Sequence, residues 1–133
     1  MEGRIEDLSA YRFRKAESSL KTAEKLFDDG EYGFAQNRAY YAVFDAMRSI
    51  TALDGFDSSK HSGVIAYFNQ NYVKTEIFPS ETSKIIRLAS MLREKSDYED
   101  FYEPQPDDTR EVIERVRLLI ENIRDYLKQK EII

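Results

Sequence analysis

The chain has 133 residues, 41% of them hydrophobic, enough for one packed domain over residues 1–133 and too few for two of ordinary size. A formal net charge of -5 argues against a surface that tracks duplex DNA non-specifically, and the lack of cysteine excludes disulfides, thiolate chemistry and sulfur-ligated metals together. No run approaches a membrane span and MEGRIEDLSAYRFRK lacks the apolar centre of a signal peptide, so the expectation is a soluble, cytoplasmic protein.

Five glycines and three prolines leave few breaks, which favours helices. Phe13, Ala16, Leu20, Ala23 and Phe27 recur at spacings of three and four, a single buried helical stripe. It is predicted to stop at DDG, where Gly30 can adopt the left-handed conformation. A second helix is predicted from near Glu31 to about Leu53, with Ala35, Ala39, Ala42, Val43, Ala46 and Ile50 as a stripe that admits close helix approach. GFDSSKHSG follows as a loop. Ser58 is placed as the cap of a third helix with Val64, Ile65, Phe68 and Tyr72 on its apolar side and His61 in its first turn. Pro79 and Ser80 open a short helix with Ile85, Leu88, Ala89 and Leu92 facing inward, before irregular chain around SDYEDFYEPQP. In the last helix Asp108 and Glu111 resemble a capping box, and Val112, Val116, Leu119, Ile123 and Tyr126 or Leu127 keep one stripe. The predicted fold class is all-α, an antiparallel bundle of four main helices plus one short helix.

Within the second helix, NRAYYAVFDAMRSI does not divide into one apolar and one charged side. At about 100° per residue, Asn37, Tyr41, Phe44, Asp45 and Arg48 fall opposite the alanine stripe, with Arg38 beside them. Charged helix faces are usually solvated, and an Arg38–Asp45 or Asp45–Arg48 ion pair would suit that reading. Tyr40, Tyr41 and Phe44 among the polar groups suit a half-buried groove or a subunit interface better. A helix with two such faces needs two partners, so a homodimer is expected.

NRAYYAVFDAMRSI, followed by KHSGVIAYFNQNYVK and then MLREKSDYED, resembles the HEPN domain, named for higher eukaryotes and prokaryotes nucleotide-binding. The order and spacing of the three blocks are similar to the short prokaryotic branch of that family, from about residue 10 to residue 127. The resemblance implies a helical bundle, frequent homodimers, and association with nucleotides, with RNA, or with a nucleotidyltransferase partner in toxin–antitoxin pairs. Many members are metal-independent ribonucleases with an arginine followed four to six positions later by a histidine. Here the similar block begins at Arg93 and continues Glu94, Lys95, Ser96, Asp97, Tyr98, with no histidine. The chain's one histidine, His61, lies in the KHSG block. The departure argues against the usual nuclease mechanism, because aspartate and tyrosine titrate far from neutrality unless shifted.

The candidate ligand-binding residues are therefore Asn37, Arg38, Tyr41, Arg48, His61, Arg93, Asp97 and Tyr98, with no catalytic residue assigned. His61 reads equally as a capping or surface histidine, and Arg93, Asp97 and Tyr98 equally as a salt-bridged helix end. No Glu-x-x-His pair, glycine-rich phosphate loop or nucleophile triad is present, so neither metal nor cofactor is expected. Three functions remain: a nucleotide- or RNA-binding module, a divergent ribonuclease in which Arg93 stabilises phosphate charge, and a purely structural partner of a nucleotidyltransferase.

Overall fold

The computed structural model describes residues 3–133. Five α-helices follow one another: α1 (Gly3–Asp28), α2 (Tyr32–Thr51), α3 (His61–Phe68), α4 (Glu81–Tyr98) and α5 (Pro106–Gln129). No strand occurs among the described residues, and no helix among them is long and apolar enough to cross a membrane.

The stripe of α1 is buried at Phe13, Ala16, Leu20 and Ala23, with Phe27 half-buried at its end. Gly30 then takes φ 78, and the Gly30 and Glu31 N–H groups return to the Phe27 and Leu26 carbonyls at 3.0 and 2.8 Å. That pair of bonds satisfies two of the carbonyls a helix end leaves open and turns the chain straight into α2. The two helices form the most extensive packing contact in the molecule.

Because α2 touches all four other helices, it is the spine of the bundle. Its small-residue stripe is fully buried, as the pattern predicts. Tyr40, Phe44, Asp45 and Met47 are buried as well, and Asn37, Arg38, Tyr41 and Arg48 are half-buried, so the second face of α2 is a partly covered groove rather than open solvated surface. One polar residue fixes α2 against three segments at once. Gln36, wholly buried, donates from Nε2 to Thr109 Oγ1 at 3.0 Å, and its Oε1 accepts from the Ser96 and Tyr102 hydroxyls. Gly33 one turn earlier leaves the room: a Cβ there would sit 3.3 Å from Pro104 Cγ.

The third and fourth helices differ from the sequence expectation. Ser58 does not cap α3. Lys60 occupies that position with extended backbone, and Ser58 Oγ accepts the Lys60 N–H at 3.2 Å. After Phe68 the helix widens into a π turn over Asn69–Val73, where Ser83 Oγ donates to the Asn69 side chain at 2.9 Å. The hydroxyls of Tyr67 and Tyr72 both donate to Asp54 Oδ2, at 3.0 and 2.8 Å, fastening this segment to the 3-10 turn that follows α2. The short helix of the bundle is thus α3, whereas α4 runs 18 residues and takes in Ser96, Asp97 and Tyr98 from the stretch expected to be irregular; residues 99–105 are non-helical, as expected. Leu88, expected inside, is half-buried. The Asp108–Glu111 capping box is absent too: α5 starts at Pro106, so Asp108 already lies in its first turn. The stripe Val112, Val116, Leu119, Ile123, Leu127 is buried, with Tyr126 at its edge.

Candidate functional site

The predicted residues meet along the second face of α2. Asn37, Arg38, Tyr41 and Arg48 lie on α2, His61 opens α3, and Arg93, Asp97 and Tyr98 stand on the last turns of α4. They form two groups that share an aromatic wall.

The first group centres on Arg93, whose side chain is only 15% exposed. Its Nε donates to Asp97 at 2.9 Å, one turn on, and its Nη2 donates to the hydroxyls of Tyr41 at 3.0 Å and Tyr98 at 3.3 Å. The guanidinium lies 5.1 to 5.4 Å from the ring centres of Tyr40, Tyr41 and Tyr98, within cation–π range. Asp97 in turn accepts from Asn37 Nδ2 at 3.0 Å, and Asn37 Oδ1 accepts from Arg38 Nε at 3.0 Å. Arg38 stacks over Tyr41 at 4.9 Å. These bonds hold α4 helical through Asp97 and Tyr98, and among the described residues Arg93 Nη1 makes no hydrogen bond.

The second group surrounds His61. Its Nδ1 pairs with the Tyr40 hydroxyl at 2.9 Å, and its ring lies 4.0 Å from that of Phe44. Arg48 lies over the Phe44 ring at 5.7 Å. An open groove of about 500 Å³ is lined by Phe44, Arg48, Asp57, Ser58, Ser59 and His61. Tyr41, edge-on to both Tyr40 and His61, joins this group to the first.

Electrostatics follow from the burial. Burial, and then the charges of Arg93 and Arg48, hold the His61 pKa below its ordinary value against a weaker pull from Asp45, so the ring is neutral at pH 7. Burial pushes the Tyr40 hydroxyl up to about 12 despite Arg93, leaving a neutral phenol to pair with it. Asp45 forms neither predicted ion pair. Among the described residues it has no salt bridge, burial raises its pKa, and Lys15, Arg48, Arg38 and Arg12 oppose that rise from a distance. The face therefore gathers Arg12, Lys15, Arg38, Arg48 and Arg93 around few carboxylates, on a chain that is acidic as a whole. Among the described residues no three His, Cys, Asp or Glu side chains converge as a metal would need.

The His61 shift has a direct test. A histidine whose folded pKa is depressed contributes stability above the unfolded value near 6.5, and that stability is lost as pH falls through the folded pKa. The imidazole resonances of His61 are expected to titrate below 6.5 and to move back toward it in Arg93→Gln. A wild-type midpoint at or above 6.5 would contradict the buried, cation-flanked position.

Tyr40, Gln36, Arg12 and Asp57 escaped the sequence-derived set. Tyr40 belongs to the quoted aromatic block, but helical phase alone places it between faces. Arg12 reaches the site from α1, donating to the Arg48 carbonyl at 3.3 Å, and no local spacing announces that contact.

Comparison with known proteins adds independent information. The HEPN domain family matches residues 9–128. A protein of Methanocaldococcus jannaschii named "Putative toxin MJ0142" is 28% identical over 119 residues, covering 90% of this chain and 81% of that protein. A "UPF0332 protein" of Thermotoga maritima is 29% identical over 95% of this chain and 85% of its own length. Another, from Archaeoglobus fulgidus, is 30% identical over 89% of this chain and 94% of its own. With an all-α bundle and a family match spanning nearly its whole length, the chain belongs to the HEPN domain family.

Proposed function

We propose that this chain is a one-domain HEPN module that binds a phosphate-bearing ligand, a nucleotide or RNA, on the face shared by α2, α3 and α4. Its setting is a toxin–antitoxin-like pair, as a homodimer with a nucleotidyltransferase partner. The toxin names of two relatives support the setting. The observation that carries the binding itself is Arg93: a guanidinium fixed by Asp97, two tyrosine hydroxyls and three rings, with Nη1 left over for an incoming oxygen. A fork immobilised before the ligand arrives loses little entropy on binding, and phosphate is the group it matches.

A second reading, the divergent ribonuclease, draws on His61. The ring is neutral, hence able to accept a proton, and borders the same tyrosine wall as Arg93. One experiment separates the readings: nucleotide and short-RNA binding, with RNA cleavage without metal in parallel, for wild type, Arg93→Ala and His61→Ala. The module predicts binding weakened about tenfold or more in Arg93→Ala, since a charge-assisted bond is lost, and no cleavage by any form. Wild-type cleavage abolished by either substitution selects the nuclease. Absence of all binding selects a face used for protein contact.

A further inference from the structure

We infer that the groove at the C-terminal end of the α2 face is a receptor for a terminal phosphate group, separate from Arg93, so that the ligand is a phosphomonoester; this rests on the phosphate-binding reading above. One wall of the groove is Arg48. Among the described residues its only carboxylate contact is Nη2 to Asp57 at a long 3.5 Å, and its buried Nε has no partner. Asp57, itself 65% exposed, is also the carboxylate nearest Arg12, at 3.9 Å. Two guanidinium groups thus share one solvated carboxylate, and positive charge is left over.

The opposite wall is the loop entering α3, and its folding turns donors outward. Ser58 N–H donates to Asp57, Lys60 N–H to Ser58 Oγ, and the Gly63 and Val64 N–H groups to the Lys60 carbonyl. Gly63 is what lets this loop close: a Cβ there would lie 2.5 Å from Ser58 Oγ. Among the described residues the backbone N–H groups of Ser59, His61 and Ser62 have no acceptor, and the Ser58 hydroxyl proton is uncommitted. His61 contributes its second ring nitrogen, since the first is engaged by Tyr40. The groove therefore offers many donors against one carboxylate, Asp57, which already faces two arginines.

A phosphomonoester, with about two negative charges near neutrality and three acceptor oxygens, uses such a set more fully than a phosphodiester, with its single charge. Arg48 follows Tyr41, the Arg93 partner, by seven residues, roughly 10 Å along the helix, which puts the groove and Arg93 at different levels of the face. The ligand ends at Arg48 and continues along the tyrosine wall toward Arg93.

Two measurements test this on the whole chain. Inorganic phosphate, against a chloride control of equal ionic strength, is expected to shift the Ser59, His61 and Ser62 amide resonances saturably in wild type. The shifts should vanish in Arg48→Gln and weaken in Ser58→Ala, with both variants keeping the wild-type melting midpoint. In the second, one short RNA sequence is titrated with hydroxyl ends, a 5′-phosphate or a 3′-phosphate, beside a nucleoside monophosphate. A phosphorylated end is expected to bind about tenfold tighter than hydroxyl ends, a preference lost in Arg48→Gln and kept in Arg93→Ala even as overall affinity falls. Tight monophosphate binding would identify the free nucleotide as the source, and preference within the RNA series the strand end. Absence of phosphate shifts at those amides, or RNA that binds with equal affinity whatever its ends while the monophosphate does not bind, overturns the subsite. Phosphate shifts without binding of any RNA or nucleotide leave the subsite standing and remove the Arg93-centred reading.

Discussion

Val116→Asp is expected to remove the cooperative thermal transition of this protein. Val116 has no measurable exposure and sits in the middle of the α5 stripe, with Val112, Leu119 and Ile123 equally enclosed. A carboxylate there would stand among the apolar side chains of the stripe. Its burial costs several kcal/mol even after relaxation, and the lost valine burial adds about 1.5 to 3 kcal/mol. Total stability of a domain this size is about 5 to 15 kcal/mol, so the substitution takes a large part of it or all of it. Circular dichroism on heating reads the result, and an unchanged midpoint would show that the stripe does not line the core.

The next largest effect is expected at Gln36, where Gln36→Leu should lower stability by about 2 to 4 kcal/mol although leucine is the more hydrophobic side chain. The amide is wholly enclosed and makes three hydrogen bonds, to Thr109 on α5, Ser96 on α4 and Tyr102 in the connection between them. Leucine fills similar space but strands the Ser96 and Tyr102 hydroxyls, each a part-buried donor without its acceptor. Urea denaturation should show a lower midpoint with an unchanged slope, because the surface exposed on unfolding stays the same. A midpoint equal to wild type would mean that water replaces the amide without loss.

How far the sequence foretold these features depended on whether they were periodic. The stripes from Phe13 to Ala23, from Ala35 to Ile50 and from Val112 to Leu127 were legible because each residue's burial follows from its phase on one helix. The end of α4 was legible only in part. Asp97 and Tyr98 fell both in a stretch expected to be irregular and in a possible salt-bridged helix end with Arg93; the helix end is what forms, and Asn37, 60 residues from Asp97, completes it through a contact no local spacing announces. Ser58 looked like a helix cap because serine is a good one, but its oxygen accepts the Lys60 N–H, and the helix starts at His61, two residues later than the pattern placed it. At the candidate face the sequence supplied the residue types on α2, whereas the resemblance to HEPN proteins supplied His61 and the Arg93 block. Neither foretold that Phe44 and Asp45 would be buried, since cover for them comes from helices whose placement no local pattern encodes.

The tight α1–α2 turn bears on what happens while the chain is still being made. Its contacts are close in sequence, and such contacts form early, so this hairpin can pair as soon as residues up to Thr51 have left the ribosome. What then faces the cell is the other side of α2, with Tyr40 and Phe44 bare until His61 and, some thirty residues later, Arg93 have been synthesised. The candidate binding face therefore stays open until α3 and α4 have emerged. A nascent chain halted between α2 and α4 would present it as an adhesive aromatic strip, open to chaperones and to other unfinished chains.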